Sequence, residues 1–293
     1  MIEVNKQSKE VIATLPQQTT IKREVTCFGI GLHSGREVNM SLKPAPVDSG
    51  IVFVRTDLDN QPRIRAIAEN VTATVRATTL AENDVKVFTV EHVMSALHAR
   101  QIDNCIVELD AEEPPVMLGS AIDFFNLLKI AGRIEQNSAR NETIIDRIYR
   151  VDDTTGTGRR FILALPYDGF RVSFTSVNPH PLIGIQYADF DIDEETYARE
   201  IAPARTIAYE PEVEMLHKMG LGLGGSLENV IVYNDDGWRN DLLFPDELVR
   251  HKILDVIGDL RLAGIVRGHF IAAASGHALN TKLAKLLCNK KGD

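Results

Sequence analysis

The order of apolar and polar positions divides the first half of the chain into a strand-rich part and a helical part. From Thr20 to Val90, short runs alternate apolar and polar residues between clusters of Pro and Gly, which predicts hairpins that form a sheet. From Glu91 the apolar residues recur at helical spacing as far as 102–104, where we expect the helix to end. A strand, a Pro-Pro loop and a helix that opens at Gly119 follow.

The second half of the chain repeats this order. Strand-like runs are followed by a predicted helix over 250–264, a strand over 268–274 and a closing helix over 275–287. In each half, the predicted order is therefore a helix, a strand, a loop and a second helix. Each first helix carries a histidine in its first turns. This repetition indicates a duplicated unit.

The length and one polar stretch predict where the chain divides. A chain of 293 residues exceeds the usual size of a single core, which favours two domains. The stretch 133–142 is polar and has no apolar period, so we place the domain boundary there. We expect a flexible tail over residues 1–19, a first domain over 20–140 and a second over 141–293.

Composition narrows the class of protein. The net charge is −9, with no basic stripe carrying interleaved aromatic residues, so nucleic acid is not the expected partner. The three cysteines are far apart and match neither a disulfide framework nor a thiolate metal site. The sequence lacks a signal-peptide pattern and an apolar run of about 18 residues. We therefore expect a cytoplasmic protein without integral membrane association.

One histidine–carboxylate pair is a candidate for metal binding. His251 and Asp255 are four residues apart on a predicted helix, so both side chains project from one face. The spacing alone is weak, because about one such pair is expected by chance and the chain also contains His33 with Glu37, in a turn that runs into a strand. The alternative for His251 and Asp255 is an exposed helical ion pair.

The matching histidine of the first half extends this candidate. A catalytic zinc site needs a third protein ligand and an open position for water, and His92 is the natural donor. Glu91, next to it, suits a general base beside such a water. The alternative for Glu91 is an acid stabilised by the dipole at the first turn of a helix.

A further histidine stands at the start of the last predicted helix. His277 gains nothing from the helix dipole there, which indicates a use other than stability. Asp259, four residues beyond Asp255, could orient and stabilise a charged His277. The alternative is that Asp259 caps the helix or pairs with Arg261 or Arg267.

The remaining motifs are less specific. The glycine-rich segment 220–226 lacks the Gly-Lys-Ser/Thr ending of a phosphate loop, and no strand leads into it, so we do not expect triphosphate binding. We interpret His98 and His217 as exposed helical residues and His269 as part of a strand.

Several motifs, in this order, resemble the UDP-3-O-acyl-N-acetylglucosamine deacetylases, metal-dependent enzymes of lipid A synthesis in bacteria. The resemblance runs from about Thr20 to Leu287. Its landmarks are GLHSG at 31–35, TVEH at 89–92, IDN at 102–104, ART at 204–206, GGSLEN at 224–229, VRHK at 249–252 with the carboxylates at 255 and 259, and SGH at 275–277.

The resemblance implies an α+β fold of two similar domains, with the helical layers packed together around a zinc site and a small insertion in each domain. It implies that the ion is held by three residues, His92, His251 and Asp255. Glu91 would be the general base, and His277, held by Asp259, the acid or charged stabiliser. Two histidines and one carboxylate suit Zn²⁺ and also Fe²⁺.

The resemblance also implies the substrate contacts. The ion and the hydroxyl of Thr206 would stabilise the oxyanion, and Lys252 would face the phosphates of a UDP-linked, acylated amino sugar. Leu32 is expected at the substrate site, and Ile207 and Val213 in an apolar passage for the acyl chain. We expect a monomer.

Two positions depart from the family pattern. Leu118 replaces an aspartate in the Asp-Gly-Ser-Ala motif, and Ile207 replaces an aromatic residue. Neither is an expected ligand, so the departures concern substrate selectivity and full activity. The alternatives are an amidohydrolase that acts on another acylated amino sugar and a non-catalytic paralogue of the family.

Overall fold

The computed structural model describes residues 16–155 and 159–289, which form an α+β fold. In the first half the strands are β1 Gln17–Ile21, β2 Val25–Ile30, β3 Glu37–Pro44, β4 Ile51–Arg55, β5 Arg63–Arg65, β6 Val71–Ala73, β7 Thr79–Glu82, β8 Val85–Val87 and β9 Cys105–Leu109. The helices of this half are α1 Glu91–Ala99 and α2 Ile122–Ala131. The predicted change from strands to a helix at Glu91 is confirmed.

The second half contains the remaining elements. Its strands are β10 Arg133–Ala139, β11 Glu142–Ile144, β12 Tyr149–Asp153, β13 Arg160–Leu165, β14 Phe170–Val177, β15 Ile185–Asp191, β16 Thr206–Tyr209, β17 Val230–Asn234, β18 Gly237–Trp238 and β19 Ile265–Ala273. Its helices are α3 Glu194–Thr196, α4 Glu210–Lys218, α5 Glu247–Leu260 and α6 His277–Asn289.

The two main sheets have the same topology. The first has the strand order β2-β3-β9-β4-β5 and the second β12-β13-β19-β14-β15, with β11 added beside β19. In each, the last strand in sequence lies between an antiparallel and a parallel neighbour, namely β9 between β3 and β4, and β19 between β13 and β14. The shared topology supports the idea of a duplicated unit. That the two halves arose by duplication stays a prediction.

Helices join the two sheets through one continuous core. Helix α2 contacts β2, while α5 and α6 contact strands of the second sheet. Helix α1 packs against both α2 and α5, and every residue of α1 is buried. Apolar residues of both sheets and of these helices belong to a single buried cluster. The interface between the helices is therefore where side chains of both halves can meet.

Each half also carries a small appendage. In the first half it is the three-stranded sheet β6-β7-β8, and in the second it is the sheet β16-β17-β18 with α4. An ion pair of 2.8 Å between Arg76 and Glu212 connects the two appendages. Within the described part of the chain, no helix combines the length and the apolar character needed to cross a membrane.

Two segments contain strands where the sequence predicted none. Residues 17–19, assigned to the tail, belong to β1, and the polar stretch 133–142 contains β10, which pairs with β1. Pairing of backbone groups does not require apolar side chains. In addition, the backbone amide of Thr19 donates to the carboxylate of Asp103 at 2.7 Å. The rest of the expected tail, residues 1–15, lies outside the described residues.

Candidate metal centre

The site is assembled where α1 begins against the middle of α5. A glycine allows this contact, because a methyl group at Gly258 would overlap the backbone carbonyl of Glu91. The first turn of α1 therefore lies directly on the face of α5 that carries His251, Asp255 and Asp259. The i, i+4, i+8 spacing of these three residues places them on one side of the helix.

Three potential ligands converge at this contact. One ligand atom each from His92, His251 and Asp255 lies within 4.8 Å of the other two. The His92 and His251 rings are nearly perpendicular, with centroids 5.1 Å apart. All three residues are at least 95% buried, which excludes the exposed ion pair considered for His251 and Asp255.

The protonation states suit a cation. Burial lowers the pKa of His92 to about 3 and also lowers that of His251, so both imidazoles are neutral at physiological pH. The Nδ1 of His251 lies 3.0 Å from the carbonyl oxygen of Ala204 and donates to it in the neutral ring, which leaves Nε2 free to face the cluster. Burial opposes ionisation of Asp255, but the positive charge of Lys252, together with that of His277, outweighs it and holds the pKa of Asp255 well below its usual range.

An unsatisfied acceptor tests whether these residues fit a metal ion. The Oδ1 atom of Asp255 is buried and has no hydrogen-bond partner among the described residues, an arrangement that costs free energy unless something binds there. Two imidazole nitrogens and one carboxylate oxygen form a donor set used in catalytic zinc sites. The residues therefore fit a divalent ion.

Lys252 contacts the cluster itself. Its Nζ donates to the second oxygen of Asp255 at 2.8 Å. Burial lowers the pKa of this ammonium, but Asp255 outweighs it, so the net shift is upward and Lys252 remains charged. The side chain is 29% exposed, so the ammonium can also face a ligand from solvent.

Glu91 is a carboxylate placed beside the cluster and poorly solvated. Burial is the largest influence and raises its pKa to about 7, although the charge of His277 opposes the rise. Its Oε2 accepts the backbone amide of Thr78 at 3.1 Å. A carboxylate with such a pKa can exchange a proton near neutral pH, as a general base must.

His277 and Asp259 form a pair beside Glu91, in which Asp259 is fully buried and the side chain of His277 is 11% exposed. The Nδ1 of His277 donates to Asp259 Oδ2 at 2.9 Å, and its Nε2 lies 3.9 Å from Glu91 Oε1. Burial lowers the pKa of His277, but Asp259, Glu91 and Asp255 outweigh it and raise the pKa to about 10. His277 is therefore an imidazolium at neutral pH. The alternative pairing of Asp259 with Arg261 or Arg267 does not occur among its contacts.

Two hydrogen-bond donors support this pair and were not predicted from the sequence. Thr78 donates its hydroxyl to Asp259 Oδ1 at 2.5 Å, and Asn280 donates its amide to Asp259 Oδ2 at 2.9 Å. Both side chains are buried. Thr78 precedes β7 and Asn280 lies in α6, so no local pattern could have revealed that they share a carboxylate.

The segment that carries Thr206 is fixed beside α5. Arg205 forms an ion pair with the buried Glu247, with Nε 2.9 Å from Oε1. The amide of Thr206 donates to the carbonyl oxygen of Gly119 at 2.9 Å, and the carbonyl of Ala204 receives His251. Thr206 therefore lies two residues after Ala204, whose carbonyl oxygen contacts the candidate ligand His251.

The expected substrate residues lie in and around the second appendage. Leu32 is buried with Val116 and Val230, whereas Ile207 is half-buried beside Tyr233 and Leu248. Val213 is half-buried on α4. A separate cavity of about 350 Å³ lies beside the appendages and is lined by His33, Thr79, Phe88, Met219 and Leu221, among others. It does not include the histidine–aspartate cluster.

The remaining histidines are separated from the cluster. His98 was predicted to be exposed, and this is wrong, because α1 is enclosed on all sides and the His98 ring packs 4.4 Å from that of Phe170. His217 is exposed on α4 and His269 lies in β19, as predicted. His33 lies in the turn before β3 and Glu37 is the first residue of β3, and among the described residues His33 contacts Glu113 and Gly222 rather than Glu37.

Comparisons with known proteins show the family to which this chain belongs. Residues 18–289 match the family model described as LpxC, UDP-3-O-acyl N-acetylglycosamine deacetylase. A UDP-3-O-acyl-N-acetylglucosamine deacetylase of Nitratidesulfovibrio vulgaris is 47% identical over 280 residues, covering 92% of this chain and 87% of the relative.

Proteins of the same name from other bacteria are also similar to this chain. The Marinobacter nauticus protein is 45% identical over 276 residues, covering 92% of this chain and 90% of its own length. That of Syntrophus aciditrophicus is 41% identical over 277 residues, covering 94% and 87%. With a family model that spans nearly the whole chain and relatives at these identities, the protein belongs to the UDP-3-O-acyl N-acetylglycosamine deacetylase family.

Proposed function

We propose that this protein hydrolyses the N-acetyl group of UDP-3-O-acyl-N-acetylglucosamine, releasing acetate and leaving a free amine. The observation that carries the proposal is the buried cluster of His92, His251 and Asp255 beside Glu91 and His277, in a chain of this family. These residues would supply a metal site, a base and an acid close to one another, and amide hydrolysis by a metal-bound water uses all three.

His92, His251 and Asp255 would hold the ion. When bound, a divalent ion, Zn²⁺ or alternatively Fe²⁺, supplies Lewis-acid polarisation of the amide carbonyl and a nucleophilic water near neutral pH. Asp255 presents its unsatisfied Oδ1 to the site, while Lys252 neutralises Oδ2.

The protein's own groups would then move the protons. Glu91, ionised and held by the amide of Thr78, accepts a proton from the attacking water. His277 is charged, and its Nδ1–H is committed to Asp259, so its Nε2–H is the proton available to the departing amine. The C–N bond breaks as this nitrogen is protonated, giving one acetate and one amine for each water consumed.

The oxyanion and substrate contacts would come from the second appendage, from α5 and from the turn that carries Leu32. The hydroxyl of Thr206 would donate to the oxyanion, in a position fixed by the Gly119 contact. Lys252 would face the phosphates, and Leu32, Ile207 and Val213 would border the acyl chain, each buried methylene of which contributes about 0.8 kcal/mol to binding. A monomeric state and a bacterial cytoplasmic location stay predictions.

The test compares substrates at equal concentration. We expect acetate release from UDP-3-O-acyl-N-acetylglucosamine to exceed that from UDP-N-acetylglucosamine and from the free sugar by orders of magnitude in kcat/KM, because remote groups contribute binding energy to the transition state. Equal rates would indicate another acylated amino sugar as the substrate. Metal binding without any acetate release would favour a non-catalytic paralogue.

A further inference from the structure

A buried carboxylate outside the metal centre organises the turn 31–35. Glu113 follows β9 and is fully buried. Its Oε1 accepts the backbone amides of His33 at 3.0 Å and Ser34 at 2.6 Å, and its Oε2 accepts the hydroxyl of Thr89 at 3.1 Å. A side chain at Gly31 would overlap this carboxylate, so the turn passes directly over it. The backbone of the turn is thus folded around Glu113.

The other side of the same turn holds the second appendage. The amide of Gly222 donates to His33 Nδ1 at 3.2 Å, and the amide of Gly224 donates to the carbonyl oxygen of Leu32 at 3.0 Å. Burial lowers the pKa of His33, which keeps the ring neutral, and the Gly222 amide selects the tautomer in which Nδ1 is the acceptor. A methyl group at Gly224 would overlap the carbonyl of Gly31. The glycine-rich segment 220–226 therefore has a structural use, because Gly224 lets two backbones approach closely.

Apolar packing reinforces these hydrogen bonds. Leu32, at the tip of the turn, is buried against Val116 and Val230, with Ala208 and Val232 packed beside them. Ala208 and Val232 face each other in the parallel pair β16–β17, so Leu32 contacts the sheet that begins at Thr206. The turn is thus fixed by Glu113 on one side and fixes the appendage on the other.

From these contacts we infer that Glu113 is a positioning residue, which shapes the turn 31–35 so that the turn docks the β16–α4–β17 appendage against the first half of the molecule. The inference rests on the proposed function where it concerns substrate, because the appendage carries Ile207 and Val213, the proposed neighbours of the acyl chain. A loosened appendage would leave the metal centre intact and weaken binding of the acyl chain.

Two substitutions separate the position of the carboxylate from its charge. Glu113→Gln keeps an acceptor oxygen for the amides of His33 and Ser34. Glu113→Asp keeps the charge, but its side chain is one methylene shorter, so the carboxylate lies farther from these amides. We expect Glu113→Gln to behave like the wild type. We expect Glu113→Asp to raise KM for a long-acyl substrate roughly tenfold, the factor that corresponds to the loss of about one hydrogen bond.

The remaining kinetic values serve as internal controls. With a short-acyl substrate, Glu113→Asp should change KM little, and kcat and the bound metal should stay near their wild-type values. Asp110→Ala is the matched control, because this exposed carboxylate in the same loop also accepts a backbone amide, that of Asn39 at 2.7 Å, but does not touch the turn.

Hydrogen exchange tests the docking without any substrate. Glu113→Asp should accelerate exchange of the amides of 222–224 while those of β14 and β19 keep their protection. Gly224→Ala, which disrupts the same contact from the appendage side, should give the same local effect and the same rise in KM. This measurement stands even if the chain proves not to be a deacetylase.

Three results would overturn the inference. The first is Glu113→Asp with wild-type exchange at 222–224 and a wild-type KM for both substrates. The second is Glu113→Gln as impaired as Glu113→Asp, since that assigns the effect to charge. The third is faster exchange throughout the molecule with a lower Tm, since that assigns Glu113 to general stability.

Discussion

Gly258 of α5 lies directly against the backbone carbonyl of Glu91, and this contact sets the distance between the two helices that carry the candidate ligands. One helix contributes His92 and the other contributes His251 and Asp255. Their ligand atoms come within 4.8 Å of one another only because the helices approach this closely.

Gly258→Ala should therefore separate α1 from α5. The added methyl group meets backbone rather than a mobile side chain, so we expect a loss of about 1 to 3 kcal/mol in the free energy of unfolding. We also expect a marked fall in metal affinity, measured by titration with a competing chelator. Gly276→Ala, where no heavy atom lies within 4 Å, should keep the metal. Unchanged metal affinity in Gly258→Ala would contradict this account of the contact.

Thr78→Val should weaken the orientation of His277. The hydroxyl donates to Asp259 Oδ1, and its loss leaves that buried oxygen without its donor. We expect kcat to fall roughly tenfold, with Thr78→Ser restoring most of it. A variant as active as the wild type would remove Thr78 from the proposed machinery.

The pH dependence of kcat/KM should be bell-shaped. Glu91 must be ionised to accept a proton, and burial raises its pKa to about 7, so activity falls on the acid side. A bound cation favours the ionised form and moves this limb lower. His277 must be protonated, and its carboxylate neighbours raise its pKa to about 10, so activity falls above that pH. In His277→Ala the fall of kcat/KM at high pH should disappear. If that fall is unchanged in the variant, it belongs to another group.

His98 should make stability depend on pH in the acid range. Burial lowers its pKa from an ordinary 6.5 to about 3, so the unfolded chain binds more protons between these values. The contribution of His98 is present above pH 6.5 and is lost as the pH falls towards 3, by up to about 1.4 kcal/mol per pH unit. Denaturant unfolding measured at several pH values should show that the free energy of unfolding of His98→Leu depends less steeply on pH than that of the wild type. His217→Leu, at an exposed position, should show the wild-type dependence.

The sequence predicted the parts of the molecule that depend on local spacing. The i, i+4 pair of His251 and Asp255 and the change of period at Glu91 are both properties of a single helix, which periodicity reports directly. The match between the two halves similarly anticipated the shared sheet topology.

The sequence could not predict contacts that depend on tertiary packing. His98 was interpreted as an exposed helical residue, but α1 has no exposed side. Strand β10 was missed because it is held by backbone pairing under polar side chains. Thr78 and Glu113 act through hydrogen bonds to residues in other elements, and neither has a local pattern. Gly258, inside a helical pattern, was the available signal for a close helix contact.

The most direct test of the account measures bound metal and acetate release together for the wild type, His251→Ala and Glu91→Ala. We predict about one divalent ion and turnover for the wild type, and loss of both for His251→Ala. Glu91→Ala should keep the ion and lose activity by a factor of about 10² or more. A His251→Ala variant that retains a full complement of metal, or a Glu91→Ala variant that still turns over at the wild-type rate, would contradict the central claim.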